Sequence, residues 1–295
     1  MKILYYISFL SVALLWSCEE PVDIGIDTKD LVIESRIEAG ANPEVSVRVI
    51  NGLGETIKSQ NLEESEVFIQ LNEEEPIAFS ITSVSDFTVS YTSDCIIKAG
   101  SRYSLLIKSP GFKDLMSITE VPDVFTVRDV TGGDRGPNGG FLAKDDYFEL
   151  PVVFEDETDK NNYFHLVVSV RDGNAALSND TSRVIDFGLA PRPRDAKRFN
   201  DTGWMFSDDT FENGVFDGVF RVSKSEVVQF SKPIVTLETR SVSVDYFNYH
   251  IQNSRPKSDD FIFQGQGGVV DNVAGGTGLF GGYNAIQTNY ELEFQ

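Results

Sequence analysis

YFELPVVFEDETDKNNYFHLVVSV, residues 147–170, holds two eight-residue runs of aromatic and β-branched side chains around the acidic segment EDETDKNN. In the second run Phe164, Leu166, Val168 and Val170 alternate with Tyr163, His165, Val167 and Ser169. A period of two places alternate side chains on opposite faces, as in a strand with one face on a core. Two such runs around a short polar segment read as a β-hairpin.

The pattern extends toward the N-terminus. Leu31-Val32-Ile33, Val45 to Val49, Val67 to Leu71, Phe87 to Tyr91, Tyr103 to Ile107 and Met116 to Thr119 are short, β-rich runs. Turn-formers separate them at Gly40 to Pro43, Asn51-Gly52, Asn72 to Pro76 and Ala99-Gly100. Strands at this spacing, without helical periodicity, predict a β-sandwich of immunoglobulin or transthyretin type over residues 31–125. Residues 126–145 contain TGGDRGPNGG and read as a Gly-rich linker or loop. Its lack of a following lysine at P-loop spacing argues against a phosphate cradle.

Residues 146–295 read as a second β-rich domain with one or two short helices. Val184 to Phe187, Val219 to Ser223, Val227 to Phe230, Ile234 to Thr239, Phe261 to Phe263 and Tyr290 to Phe294 are further strand candidates. One helix is expected after Ser243, a possible N-cap, with Val244, Phe247 and Ile251 on one face. The glycines of GQGGVVDNVAGGTGLFGGYN lack the strand-turn-helix frame of a dinucleotide site. The fold class is therefore mainly β.

The first residues do not belong to that body. Lys2 precedes a run from Ile3 to Leu15 interrupted only by Ser8 and Ser11, the length of a secretory h-region. It is too short for a helix crossing a hydrocarbon core of roughly 30 Å. The run ends in Leu15-Trp16-Ser17-Cys18, which resembles the lipobox of bacterial lipoproteins. The resemblance implies removal of residues 1–17 and acylation of Cys18, leaving 18–30 as a lipidated acidic tether. An ordinary signal peptide with a chance cysteine is the other reading. Glu19 and Glu20 directly after the cysteine resemble a surface-export signal, and read equally as part of a solvated tether.

The charge balance sets limits on partners. The chain of 295 residues carries 46 acidic and 25 basic residues, a net charge of −21. That field repels phosphate backbones and anionic headgroups, so nucleic-acid partners are disfavoured and membrane attachment falls to the lipid. With Cys18 acylated only Cys95 remains, so no internal disulfide is expected and the thiol reads as a small hydrophobe.

Candidate chemistry is sparse. His165 reads as a partly solvated sheet residue and His250 as an edge of the helix packing. Neither has a second ligand at zinc spacing. Asp156, Glu157, Asp159, Asn161 and Asn162, and likewise Asp208, Asp209, Glu212 and Asn213, offer oxygens to calcium but lack EF-hand spacing and read as solvated turns. No metal, cofactor or catalytic residue is expected. Arg192 and Arg194, with Lys197 and Arg198, form a basic loop ahead of Trp204, Met205 and Phe206. It suits contact with an acidic partner or a stacked ring, although the aromatics also read as a strand entering the core.

Taken in order, the lipobox with CEEPVDIGI, DLVIESRIEAG, YFELPVVFED…NNYFHLVV, MFSDDTFENGVFDG, VSVDYFNYHIQ and DNVAGGTGLFGGY resemble one group. It is the Bacteroidota lipoprotein family designated domain of unknown function four-two-four-nine. The resemblance implies an outer-membrane lipoprotein encoded beside a TonB-dependent receptor, and it carries no catalytic residues. The function expected is a non-enzymatic accessory or ligand-capture subunit of such a receptor. A surface adhesin or envelope-structural module is the alternative. A hydrolase is disfavoured by the missing motifs.

Overall fold

The computed structural model describes residues 29–51, 56–57, 62–128, 134–137, 140–155, 161–174, 182–199, 203–211, 214–253 and 271–294. The first half supplies β1 (Lys29–Glu38), β2 (Glu44–Asn51), β3 (Thr56–Ile57), β4 (Glu66–Leu71), β5 (Ile77–Ala78), β6 (Ser80–Val84), β7 (Thr88–Thr92), β8 (Ser101–Lys108) and β9 (Leu115–Val121). Next come β10 (Thr126–Arg128), β11 (Phe141–Lys144), β12 (Tyr147–Glu155), β13 (Tyr163–Asp172), β14 (Arg183–Val184), β15 (Gly188–Ala190), β16 (Lys197–Phe199), β17 (Gly203–Ser207) and β18 (Val215–Ser223). A single helical turn α1 (Lys224–Val227), β19 (Pro233–Val242), α2 (Val244–Asn253), β20 (Val273–Ala274) and β21 (Thr277–Glu293) complete the chain. The protein is mainly β, as its alternation predicts.

One continuous sheet runs in the order β6-β7-β2-β1-β21-β19-β13-β17-β16. One separate sheet and a continuation of the long one pack against it; the continuation runs through β11, which pairs parallel to the end of β21 with Phe141 opposite Leu292. The sheet β20-β9-β8-β4-β5 lies over its N-terminal end. There Ile33, Val47 and Tyr91 of the long sheet meet Ile69, Leu105 and Leu115 in one buried core. A second group, β15-β18-β12 with β10 and β11, lies over the other end. Phe148, Leu150 and Phe154 of β12 meet Phe164, Leu166 and Val168 of β13 in a second core. The free thiol of Cys95 is half-buried against the first core.

The expected hairpin of residues 147–170 does not form. β12 pairs with β18, β10 and β11, whereas β13 pairs with β19, β17 and β14. Each strand has an apolar face, and both are buried by laying them across a core rather than side by side. The ring centroids of Phe154 and Phe164 lie 4.8 Å apart across that core. Pro151 sits between the stretches of β12 that β11 and β10 pair, so its missing N–H falls opposite a gap.

Three further expectations change. Residues 126–145 contain β10 and β11, and the described part of their glycine-rich stretch closes as a turn: Gly136 N donates to Gly140 O at 2.8 Å. Val227 to Phe230, expected as a strand, instead ends the helical turn α1, which Ser223 caps, and continues as a turn. The described part of the glycine-rich tail, from residue 271, is largely strand. Residues 277–283 of β21 pair parallel to β1, and residues 283–291 pair antiparallel to β19. Phe280 therefore enters the first core while Tyr290 and Leu292 enter the second. The chain's last strand thus belongs to both cores, and β20 pairs with β9 of the first half. The strand expected at Phe261 to Phe263 lies outside the described residues.

Glycine is required on β21 by close approach. Gly278 has φ +122, and a Cβ there would collide with the Ile33 carbonyl oxygen; one on Gly282 would meet Glu120 O at 2.8 Å. Helix α2 packs on the opposite face of the long sheet, on Leu279, Met205 and Val242. Ser243 caps it, accepting from Tyr246 N at 3.2 Å, and also binds the Gly282 backbone. The buried side chains are Tyr246 and His250, at i and i+4, while Val244 is exposed; the apolar stripe is rotated from that expected.

Candidate functional site

Cys18, Glu19 and Glu20 lie outside the described residues. Of the other candidates, the structure joins Arg192 to Trp204 and leaves Arg194 exposed. Trp204 is only 8% exposed, and its indole N–H donates to Phe187 O at 2.9 Å. Arg192 Cζ stands 4.5 Å from the indole centroid, and its Nη2 donates to Ala196 O at 3.0 Å. Arg198, 5.9 Å from the same ring, is ion-paired with Asp186. The expectation of an exposed ring for stacking does not hold. β17 lies between β13 and β16, so its apolar face is core and the arginines form a lid on it.

The surface that the fold builds instead is a cleft of about 470 Å³ where the two sandwiches meet. Three segments converge on it: the end of β9 with the connector 122–125, the start of β13, and the corner from β19 into α2. Asn284 of β21 holds the connector by donating to Asp123 O at 3.2 Å. Phe125 lines the cleft, packing edge-on to Phe164. Ile118, Val124 and Val244 are 46, 76 and 46% exposed, so these three apolar residues lie at the surface rather than in a core. Glu120, Asp123 and Asp245 stand beside them with one cation, Arg102. Burial raises the Asp245 carboxyl above its ordinary pKa. The buried hydroxyl of Thr119, another lining residue, has no hydrogen-bond partner among the described residues.

The outer face of the long sheet carries a polar network beside α2. Tyr283 Oη donates to Glu38 Oε2 at 2.8 Å, and the Arg240 guanidinium lies 5.0 Å from the Tyr283 ring centroid. Arg240 is ion-paired with Glu238 and donates to Tyr246 Oη at 3.4 Å, which shares a 3.0 Å hydrogen bond with His165 Nδ1. Glu34, Arg36, Glu44, Ser46, Arg240 and Tyr283 line a polar groove of about 530 Å³ there.

His165, expected to be partly solvated, is 2% exposed because α2 covers its face of β13. Burial, reinforced by Arg240, His250 and Arg36, lowers its pKa well below the ordinary imidazole value. His250 is lowered to about 4 by burial and by Arg36 and Arg240. Burial and the bond to Glu38 raise Tyr283. Burial opposes the charge on Arg240, but Tyr246 and Glu238 outweigh it and hold its pKa above the usual value. Neutral, enclosed imidazoles and a protonated tyrosine make poor proton carriers at neutral pH. The network clamps β1, β21, β19, β13 and α2 together. Sequence could not show it, since its members run from Glu38 to Tyr283 with no common spacing.

Among the described residues no group of three or more His, Cys, Asp or Glu side chains is placed to hold a metal ion. No helix among them is long and apolar enough to cross a membrane.

A family model described as a domain of unknown function, DUF4249, matches residues 19–289. No curated protein matches the chain. A crystal structure of a DUF4785 family protein from Legionella pneumophila is similar at 9% identity over 71% of this chain and 52% of that one, with a TM-score of 0.24. The match spans about half of that protein, and so low a score carries no argument about fold or function.

Proposed function

The chain belongs to the DUF4249 family, and from that premise we propose that it is a lipid-anchored, non-enzymatic accessory or ligand-capture subunit of a TonB-dependent outer-membrane receptor. Its anchor is Cys18 and its body faces the cell surface. The observation that carries the reading is the cleft at the junction of the sandwiches, where Ile118, Val124 and Val244 expose apolar surface beside three carboxylates. Apolar side chains left in water beside charged ones suit recurrent contact with another surface better than catalysis. The placement of His165 and His250, enclosed and neutral, supports the non-enzymatic part. Support for the anchor is the apolar run ending at Leu15-Trp16-Ser17-Cys18.

The test is recovery of partners from detergent-solubilised outer membranes with the tagged protein and with its Val124→Asp variant, followed by mass spectrometry. Val124 is 76% exposed, so the variant should fold normally. Stoichiometric co-recovery of a TonB-dependent receptor, lost in the variant, is the expected result. Recovery of the lipoprotein alone, with the receptor present in the input, overturns the proposal in favour of an adhesin or envelope-structural module.

A further inference from the structure

Both sheets of the first sandwich end on one continuous segment. β5 is the terminal strand of the smaller sheet and β6 the terminal strand of the long one, joined through Phe79. From Ile77 to Ser85 the sequence is IAFSITSVS, without a charge, a proline or a glycine. Phe79 is held inward, its N–H donating to Val67 O at 2.9 Å, and packs on the first core. Every residue of β6 is exposed, and Ile77, Ile81, Val84 and Phe87 leave 42 to 51% of their surface in water. No described strand pairs with the outer side of β6.

Such an edge is a template for another chain, and natural sheets guard it with charge, proline or brevity. The other described edges follow that rule. β16 carries Lys197 and Arg198, β14 carries Arg183, and β15 is three residues long and followed by Pro191. β5 is guarded in the same way, being two residues long and directly preceded by Pro76, whereas the five residues of β6 carry no charge or proline and only a bulge between Ile81 and Ser83. Among the described edges, that of β6 is the least guarded, on a chain of charge −21 that elsewhere is rich in charged side chains.

We infer that the β6 edge docks an extended segment of a partner protein by strand addition, and that the segment is uncharged in its middle and basic at its ends. Only an extended strand offers backbone donors and acceptors at the spacing that an open edge presents. The flanks choose the charge. Glu73, Glu74 and Glu75 precede the edge and Asp86 follows it, all exposed. A second copy of the chain is a poor occupant, because antiparallel pairing of β6 with itself would set Glu75 of one copy toward Asp86 of the other. The bulge limits the regular register, so binding should be modest and salt-sensitive.

The test uses the full chain in detergent and a fluorescein-labelled peptide, Lys-Lys-Thr-Val-Thr-Val-Thr-Val-Lys-Lys, read by fluorescence anisotropy. Two control peptides replace the terminal lysines with glutamates or methylate alternate backbone amides. Saturable binding of the lysine peptide is expected, at least about tenfold weaker for each control and for the Ile81→Lys and Ser83→Lys variants. Both positions are exposed, so unchanged melting curves would show that the variants fold. Absent binding, or equal binding of the methylated peptide, overturns the inference. Dimerisation of the chain alone in analytical ultracentrifugation, abolished by Ile81→Lys, overturns it too and assigns the edge to a second copy.

Discussion

His165 and His250 tie the stability of the protein to pH. Both sit under or within α2, and both have folded pKa values below the ordinary 6.5, His250 at about 4. Between those values the unfolded chain binds the proton and the folded chain does not. Stability is therefore full above pH 6.5 and falls as pH drops through the window to about 4. The slope is up to about 1.4 kcal/mol per pH unit for each histidine. Denaturant titrations at pH 7 and pH 5 should show the loss, and His250→Gln should flatten it; an unchanged slope would mean that the helix opens to solvent. Gly278 is a second residue on which much depends. Any Cβ there strikes the Ile33 backbone, and φ +122 is unfavourable for other residues. Gly278→Ala should cost more than about 3 kcal/mol by the same denaturant titration.

At the scale of elements, β21 joins the halves. It carries Phe280 to the first core and Tyr290 and Leu292 to the second, and turns Leu279 and Tyr283 toward α2. A chain ending at residue 271 would remove β20 and β21 together. It would expose β1 along one side and β19 along the other, two unpaired edges with apolar faces. Neither half should then show protected amides in hydrogen exchange; a protected N-terminal sandwich would show that the cores are independent. The sequence understates β21 because glycine is depleted in strands, and a glycine-rich run ordinarily signals a turn. Here the glycines permit close packing on β1, β9 and α2, a demand set by neighbours distant in sequence. The hairpin expected at residues 147–170 fails for a related reason. Alternation shows that a strand has a core face, and says nothing about which strand lies beside it.

For the molecule as a whole, attachment and charge act together. A net charge of −21 is repelled by anionic headgroups, so on the proposed reading membrane retention rests on lipid at Cys18. Cys18→Ala should move the protein from the membrane pellet to the soluble fraction, at low and at high salt alike. Retention of the variant that is lost at high salt would instead indicate an electrostatic contact. The cleft belongs to this scale as well, because its walls come from both sandwiches and the corner leading into α2. Of its lining, the sequence named Ile118, Thr119, Tyr163, Phe164, Ser243 and Val244 as strand or helix residues, and Asn161 and Asn162 within a polar turn, none of them as members of one site. Arg192, Arg194 and Trp204, which looked like contact residues, lie elsewhere, with Trp204 in a core.

The sequence by itself determined the β class and the alternation of strand faces, and it holds the apolar run on which the leader is proposed, since each rests on short-range order. An alternating strand shows its two faces within a few residues, and an apolar run shows its length. Tertiary structure alone decided the pairing of Val32 with Thr277, the sharing of β21 between two cores, the burial of His165 and the position of the cleft. Each of these depends on which residues meet after the chain has crossed the molecule. Such contacts join positions up to some two hundred and fifty residues apart. Their free energy exists only when both partners are in place, and no local pattern records it.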